Sequence, residues 1–187
     1  MQKIEFTKMH GLGNDFVIID RRSKDIEIND NLIQKLSDRR TGAGCDQLIT
    51  INNTDDKNVD ISIDIFNQSG DKAEACGNGT RCVAKILFDE NDEKQTLKIL
   101  SDAGTLVAKK IGTHISVNMG KITTFWKKIP LSEEMDSLNI PIQIEGFDTG
   151  VGVNIGNPHV VFFGKSIESI DLNQVGPKIE NHKFFPN

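Results

Sequence analysis

Cys76, in the run Glu74-Ala75-Cys76-Gly77-Asn78-Gly79-Thr80-Arg81-Cys82, is the residue of this chain whose type and setting best suit chemistry. A thiol there opens a glycine-rich turn. After it, Cys82, Val83, Ile86 and Leu87 fall on one helical stripe. Before it, Val59-Asp60-Ile61-Ser62-Ile63-Asp64-Ile65 alternates apolar and polar with the period of a half-buried strand. The spacing predicts a strand–loop–helix junction with Cys76 just outside the helix N-terminus. Unpaired N–H groups and the positive end of the helix dipole favour anions at such a place. The expectation is therefore a thiol of lowered pKa beside a cradle for a carboxylate. Together they suggest proton transfer on an amino acid. The plainer alternative is a small buried hydrophobe. Gly77 and Gly79 weigh against it, because glycine costs helix stability unless the backbone must come close to something. Cys82 reads as core, and Cys45 in Gly42-Ala43-Gly44-Cys45-Asp46-Gln47 as a packed thiol.

Three further loops place a carboxamide at a strand end: Asn14 in His10-Gly11-Leu12-Gly13-Asn14-Asp15-Phe16, Gln47 after Cys45-Asp46, and Asn67 in Phe66-Asn67-Gln68-Ser69-Gly70. Carboxamides both donate and accept hydrogen bonds, which suits recognition of an ammonium and a carboxylate. Each could equally be a turn-former. Their common setting around one thiol favours a binding role.

The elements that must position these groups are strand-like runs at Lys3–Met9, Asp15–Asp20, Gln47–Ile51, Val59–Phe66, Thr96–Leu100, Thr105–Ile111 and His114–Met119. Their spacing and turn residues read as antiparallel sheet. A helix is predicted over about Asp30–Arg39, capped by Asn29 or Asp30, and a second from Cys76 to about Asp89. Many strands and few helices make an α+β protein. The pattern breaks near Met119-Gly120, so the expected domains are 1–119 and 120–187. Lys121–Gly146 carries no legible elements. Beyond it come Gly156-Asn157-Pro158-His159, a strand-like Val160–Phe163 and a last helix predicted to begin at Pro177.

Composition narrows the class. The 187 residues are 37% hydrophobic and 26% charged, with a net charge of −5 spread along the chain. That is a soluble globular balance without the clustered Lys and Arg of a nucleic-acid footprint. No run approaches the length of a membrane span. Three cysteines fit reduced thiols in a cytoplasm better than a disulfide scaffold, and no Cys/His spacing suggests a metal site.

His10–Phe16, Gly44–Gln47, Phe66–Gly70, Ala75–Cys82 and Gly156–His159 resemble, in order, the successive motifs of the diaminopimelate epimerase family. The resemblance implies a fold of pseudo-symmetric α+β domains. Each would wrap a mixed, mostly antiparallel sheet around a central helix, with the substrate in the cleft between. It implies interconversion of L,L- and meso-diaminopimelate without a cofactor, by two thiol bases, and a homodimer. Carried over, Cys76 would be one catalytic thiol. Asn14, Gln47, Asn67 and Asn157 would bind the small-molecule substrate, and Gly77 and Asn78 would offer backbone N–H groups to its carboxylate. His159 would tune the thiol, as histidine can near neutral pH, or serve only as structure. The family's second cysteine lies in a Gly-x-Gly-x-Thr-x-Ala-Cys-Gly-Ser-Gly motif, whereas here no cysteine follows Cys82. The expectation is an epimerase with its second domain incomplete and inactive alone. The alternatives are a same-fold, proline-racemase-like isomerase and a non-catalytic diamino-acid-binding fragment.

Overall fold

The computed structural model describes residues 3–144, 147–164 and 166–186. Gly146, the end of the stretch without legible elements, and Asn187 lie outside them. The chain divides into two compact units, Met1–Met119 and Gly120–Asn187.

In the first unit, β1 (Thr7–Gly11), β2 (Asn14–Asp20), β3 (Gln47–Asn52), β4 (Ile61–Asn67), β5 (Thr96–Ser101), β6 (Gly104–Ile111) and β7 (His114–Asn118) form one seven-stranded sheet in chain order. The expectation of antiparallel pairing holds for β1–β2, β3–β4, β5–β6 and β6–β7. The pairs β2–β3 and β4–β5 are parallel. The reason lies in their connections, which contain α1 (Asp30–Ser37) and α2 (Gly77–Glu90). A helical crossover returns the chain to the end of the sheet it left, as parallel pairing requires.

Strand alternation sorts the side chains onto two faces. Phe16, Ile18, Ile49, Ile51, Ile61, Ile63 and Ile65 are buried with Cys82, Val83, Ala84, Leu87 and Phe88 of α2. The intervening Val17, Ile19 and Leu48 are buried with Ile26, Ile33 of α1 and Cys45. Helix α2 touches both edge strands, β1 and β7, so the sheet wraps around it. Asn29 caps α1, accepting the Leu32 N–H at 3.0 Å. The helix stops at Ser37, short of the expected Arg39, because Asp38 turns out and accepts the N–H groups of Arg40 and Thr41 at 2.8 and 2.6 Å. The first strand begins at Thr7, later than the pattern suggested. A two-residue hairpin joins it to β2, with Leu12 at φ 56° and Gly13 at φ 89°. Two left-handed residues give the turn whose twist matches paired strands.

The second unit holds a 3₁₀ turn (Trp126–Lys128), the two-stranded antiparallel pair β8 (Val151–Asn154) and β9 (Pro158–Val161), and α3 (Leu172–Glu180). Its core gathers Ile129, Leu131, Ile140, Ile142 and Phe184. Two expectations are corrected here. The last strand begins at Pro158 and ends at Val161, leaving Phe163 80% exposed. Helix α3 starts before Pro177, because Asp171 caps it by accepting the Asn173 N–H at 3.0 Å. Pro177 therefore sits inside the helix, where it withholds one N–H from the ladder.

Candidate active site

The site begins with how closely α2 meets the sheet. A Cβ on Gly79 would lie 2.5 Å from Ile49 Cδ1, so glycine lets the first turn of α2 rest on β3 without displacing that buried side chain. This contact fixes Cys76, the N-cap of α2, against the end of the strands. Its backbone is extended, and its Sγ accepts the Gly79 N–H at 3.4 Å. Its carbonyl accepts the Thr80 N–H and hydroxyl, both at 2.9 Å. Cys76 is half-buried while Cys45 and Cys82 are buried, and all three are free thiols.

The carboxamides reach the same place by strand periodicity. Asn14 precedes Phe16 and Ile18, Gln47 precedes Ile49 and Ile51, and Asn67 follows Ile63 and Ile65. Each continues a row that packs against α2. Because β2 and β3 run parallel and β4 runs against them, the rows end together. Gln47 pairs with Phe16 on one side and Asn67 on the other. Gln47 Nε2 donates to Asn67 Oδ1 at 3.0 Å. Asn14 Oδ1 accepts from Cys76 Sγ at 3.7 Å. Asn78 is half-buried in the first turn of α2, its Oδ1 accepting from Arg81. The Asn78 N–H also favours the charged form of the Cys76 sulfur.

The expected lowering of the Cys76 pKa is overturned. Burial pushes the thiol above its ordinary value, against the N–H groups of Gly79 and Asn78 and the charge of Arg81. The N–H groups at the helix terminus do favour the thiolate, but desolvation penalises it and here outweighs them. Cys76 rests as a thiol.

A charged network beneath Asn14 was not anticipated. Asp15 accepts from Lys8 Nζ at 2.8 Å, from Arg39 at 2.7 and 3.1 Å and from the Asp46 N–H at 2.9 Å. The Arg39 guanidinium, with Lys8 and that N–H, holds its carboxyl well below the usual range. Asp46 accepts Arg39 on one oxygen at 2.8 Å, and Asn14 Nδ2 and the Asp15 N–H on the other, both at 3.0 Å. The sequence held a signal for this: two of the carboxamides stand directly beside an aspartate, in Asn14-Asp15 and Asp46-Gln47.

Asn157 and His159 belong to the second unit, at the β8–β9 turn and on β9. His159 is exposed, and its Nε2 lies 3.0 Å from Asn157 Oδ1. The turn is held by Asn154 Oδ1, which accepts the Gly156 N–H at 2.8 Å. Among the described residues no group of three or more His, Cys, Asp and Glu could hold a metal ion, and no helix is long and apolar enough to cross a membrane.

Residues 6–125 match the family profile described as diaminopimelate epimerase. A diaminopimelate epimerase of Pelagibacter ubique is 42% identical over 189 residues, covering 98% of this chain and 68% of that protein. One from a Wolbachia of Drosophila simulans is 45% identical over 182 residues, covering 97% of this chain and 67% of the other. The chain thus spans about two thirds of the length of these relatives. In three dimensions it is similar to a hydroxyproline epimerase of Agrobacterium vitis, with a TM-score of 0.61 over 92% of this chain and 53% of that one. At 13% identity that likeness concerns the fold alone. A sheet wrapped around α2, a thiol at its N-cap and 42–45% identity to two such enzymes have one common explanation: the chain belongs to the diaminopimelate epimerase family.

Proposed function

We propose that this chain carries one half of the site of a cofactor-independent epimerase. Its reaction interconverts L,L- and meso-2,6-diaminopimelate in the cytoplasm, on the way to lysine and peptidoglycan precursors, and its assembly is a homodimer. One observation carries the reading: a half-buried thiol at a helix N-cap shares one end of the sheet with Asn14, Gln47 and Asn67. Thiol and carboxamides supply acid–base and hydrogen-bonding chemistry, and the reading requires no cofactor.

In this mechanism a base on the far side of the α-carbon removes the proton, and Cys76 delivers one from the near side. The S–H bond breaks as the new C–H bond forms, and the thiolate left behind is met by the Gly79 and Asn78 N–H groups and by Arg81. A thiol held protonated at rest suits that donor role. The carboxamides of Asn14, Gln47, Asn67 and Asn157 bind the substrate's amino and carboxylate groups. The Gly77 and Asn78 N–H groups attract its α-carboxylate, and His159 adjusts the proton balance. The hydroxyproline epimerase likeness gives no independent ground for a proline-like substrate.

Saturation-transfer NMR with diaminopimelate, run beside α-proton exchange in deuterated water, tests this. The 187-residue chain should bind diaminopimelate, and Asn14→Ala should weaken binding roughly tenfold, the worth of one hydrogen bond to a charged group. Any α-proton exchange should vanish in Cys76→Ala. Meso product should not form at an enzymatic rate, since a single base contributes about 10²–10⁴-fold. Absence of binding would overturn the substrate, and robust meso formation would overturn the single-base assignment.

A further inference from the structure

We propose that Asp46 is a positioning residue that locks the Asn14 carboxamide with its oxygen, rather than its amino group, toward the Cys76 sulfur. The inference deepens the reading of Cys76 as a proton donor and rests on it for its meaning in catalysis. Its geometry stands without that reading.

A carboxylate can only accept hydrogen bonds, so the end of Asn14 that meets it must be the amino end. Asn14 Nδ2 donates to Asp46 Oδ2 at 3.0 Å, and the planar amide then turns Oδ1 to Cys76 Sγ at 3.7 Å. An oxygen acceptor at that distance serves S–H and repels a thiolate. Were the amide to flip, an N–H would face the sulfur and favour the thiolate instead. Asp46 is itself unable to turn away. The Asp15 N–H shares Oδ2 at 3.0 Å, Arg39 holds Oδ1 at 2.8 Å, and the Asp46 N–H is held by Asp15 at 2.9 Å.

The other groups bearing on the sulfur are Arg81 on α2 and the Gly79 and Asn78 N–H groups. All three favour the thiolate. From β2, Asn14 hydrogen-bonds to it, with Asp46, Arg39 and Lys8 standing behind. The site thus carries donors that stabilise the thiolate after proton delivery and one fixed acceptor that opposes it beforehand. Asp46 decides which way that acceptor points.

The test reads Cys76 by iodoacetamide labelling and mass spectrometry as a function of pH, in the 187-residue chain and without diaminopimelate. Failure here is therefore distinct from failure of the proposed substrate. In Asp46→Asn the carboxamide is free to flip, and labelling at pH 7 should rise on the order of tenfold, as a pKa fall of one unit gives. Loss of the Asp46 charge alone would also speed labelling, so the substitution is repeated on Asn14→Ala. There it should change the rate less than about twofold, because the coupling runs through the amide. An equal rise in both backgrounds, or no rise in the first, overturns the proposal. A measurement on the unsubstituted chain guards against a variant that fails to fold. The Asn14 side-chain amide protons should exchange with solvent about tenfold more slowly than those of exposed Asn67. Equal exchange overturns the lock.

Discussion

The two units of this chain hold candidate site residues by different means. In the first, each carboxamide at the Cys76 end of the sheet ends a row of buried side chains. Asn14 leads into Phe16 and Ile18, Gln47 into Ile49 and Ile51, and α2 is pinned through Cys82, Val83, Leu87 and Phe88. In the second, Asn157 sits in the turn and His159 on the second strand of a two-stranded pair whose last residue, Val161, is exposed, as is Phe163 just beyond it. Its core cluster, among the described residues, gathers around Ile129, Leu131, Ile140, Ile142 and Phe184. The contrast teaches that the thiol end is preorganised by the sheet and the helices packed on it, whereas the hairpin relies on local bonds such as Asn154 to Gly156. A group that must meet an α-carbon at a fixed angle benefits from the first arrangement.

The largest test of that contrast is core truncation. Phe88→Ala, at a fully buried position under the sheet, should cost about 3–5 kcal/mol in urea unfolding. Phe163→Ala in the second unit should stay within about 0.5 kcal/mol. Equal losses would mean that the second unit is as tightly packed as the first. Next in size is Gly79→Ala. Its Cβ would collide with Ile49, so a loss of about 1–3 kcal/mol is expected, with Cys76 labelling altered as the helix end is pushed off the sheet.

Acid gives the smallest and most local effect. Asp15 titrates below its unfolded value because Arg39, Lys8 and the Asp46 N–H stabilise its charge. Its contribution is therefore full above about pH 4, near the unfolded aspartate value, and is lost as pH falls through the lower folded value. Asp15→Asn should lower stability at neutral pH and flatten its fall below about pH 4, read from urea midpoints across pH. A slope unchanged by the substitution would remove Asp15 from the network that backs Asn14.

The sequence alone determined the local parts of this picture. Cys76 before Gly77 marked a helix start, and the stripe from Cys82 to Leu87 marked the face that α2 buries, because both depend on residues within a few turns of each other. Asn14, Gln47 and Asn67 were legible as strand-end groups for the same reason, as was the Asn29 cap. Tertiary structure decided the rest. Alternation of apolar residues is the same for parallel and antiparallel neighbours, so the pairing of β2 with β3 and of β4 with β5 had no local mark. Pro177 suggested a helix start until Asp171 was seen to cap an earlier one. The bond from Asn14 to Asp46 spans a crossover, and no spacing rule could have joined them. Most instructive is the Cys76 thiol. Its donors follow from the helix end and can be read in the sequence, but the desolvation that outweighs them comes from the packing around it, and only the folded chain supplies that.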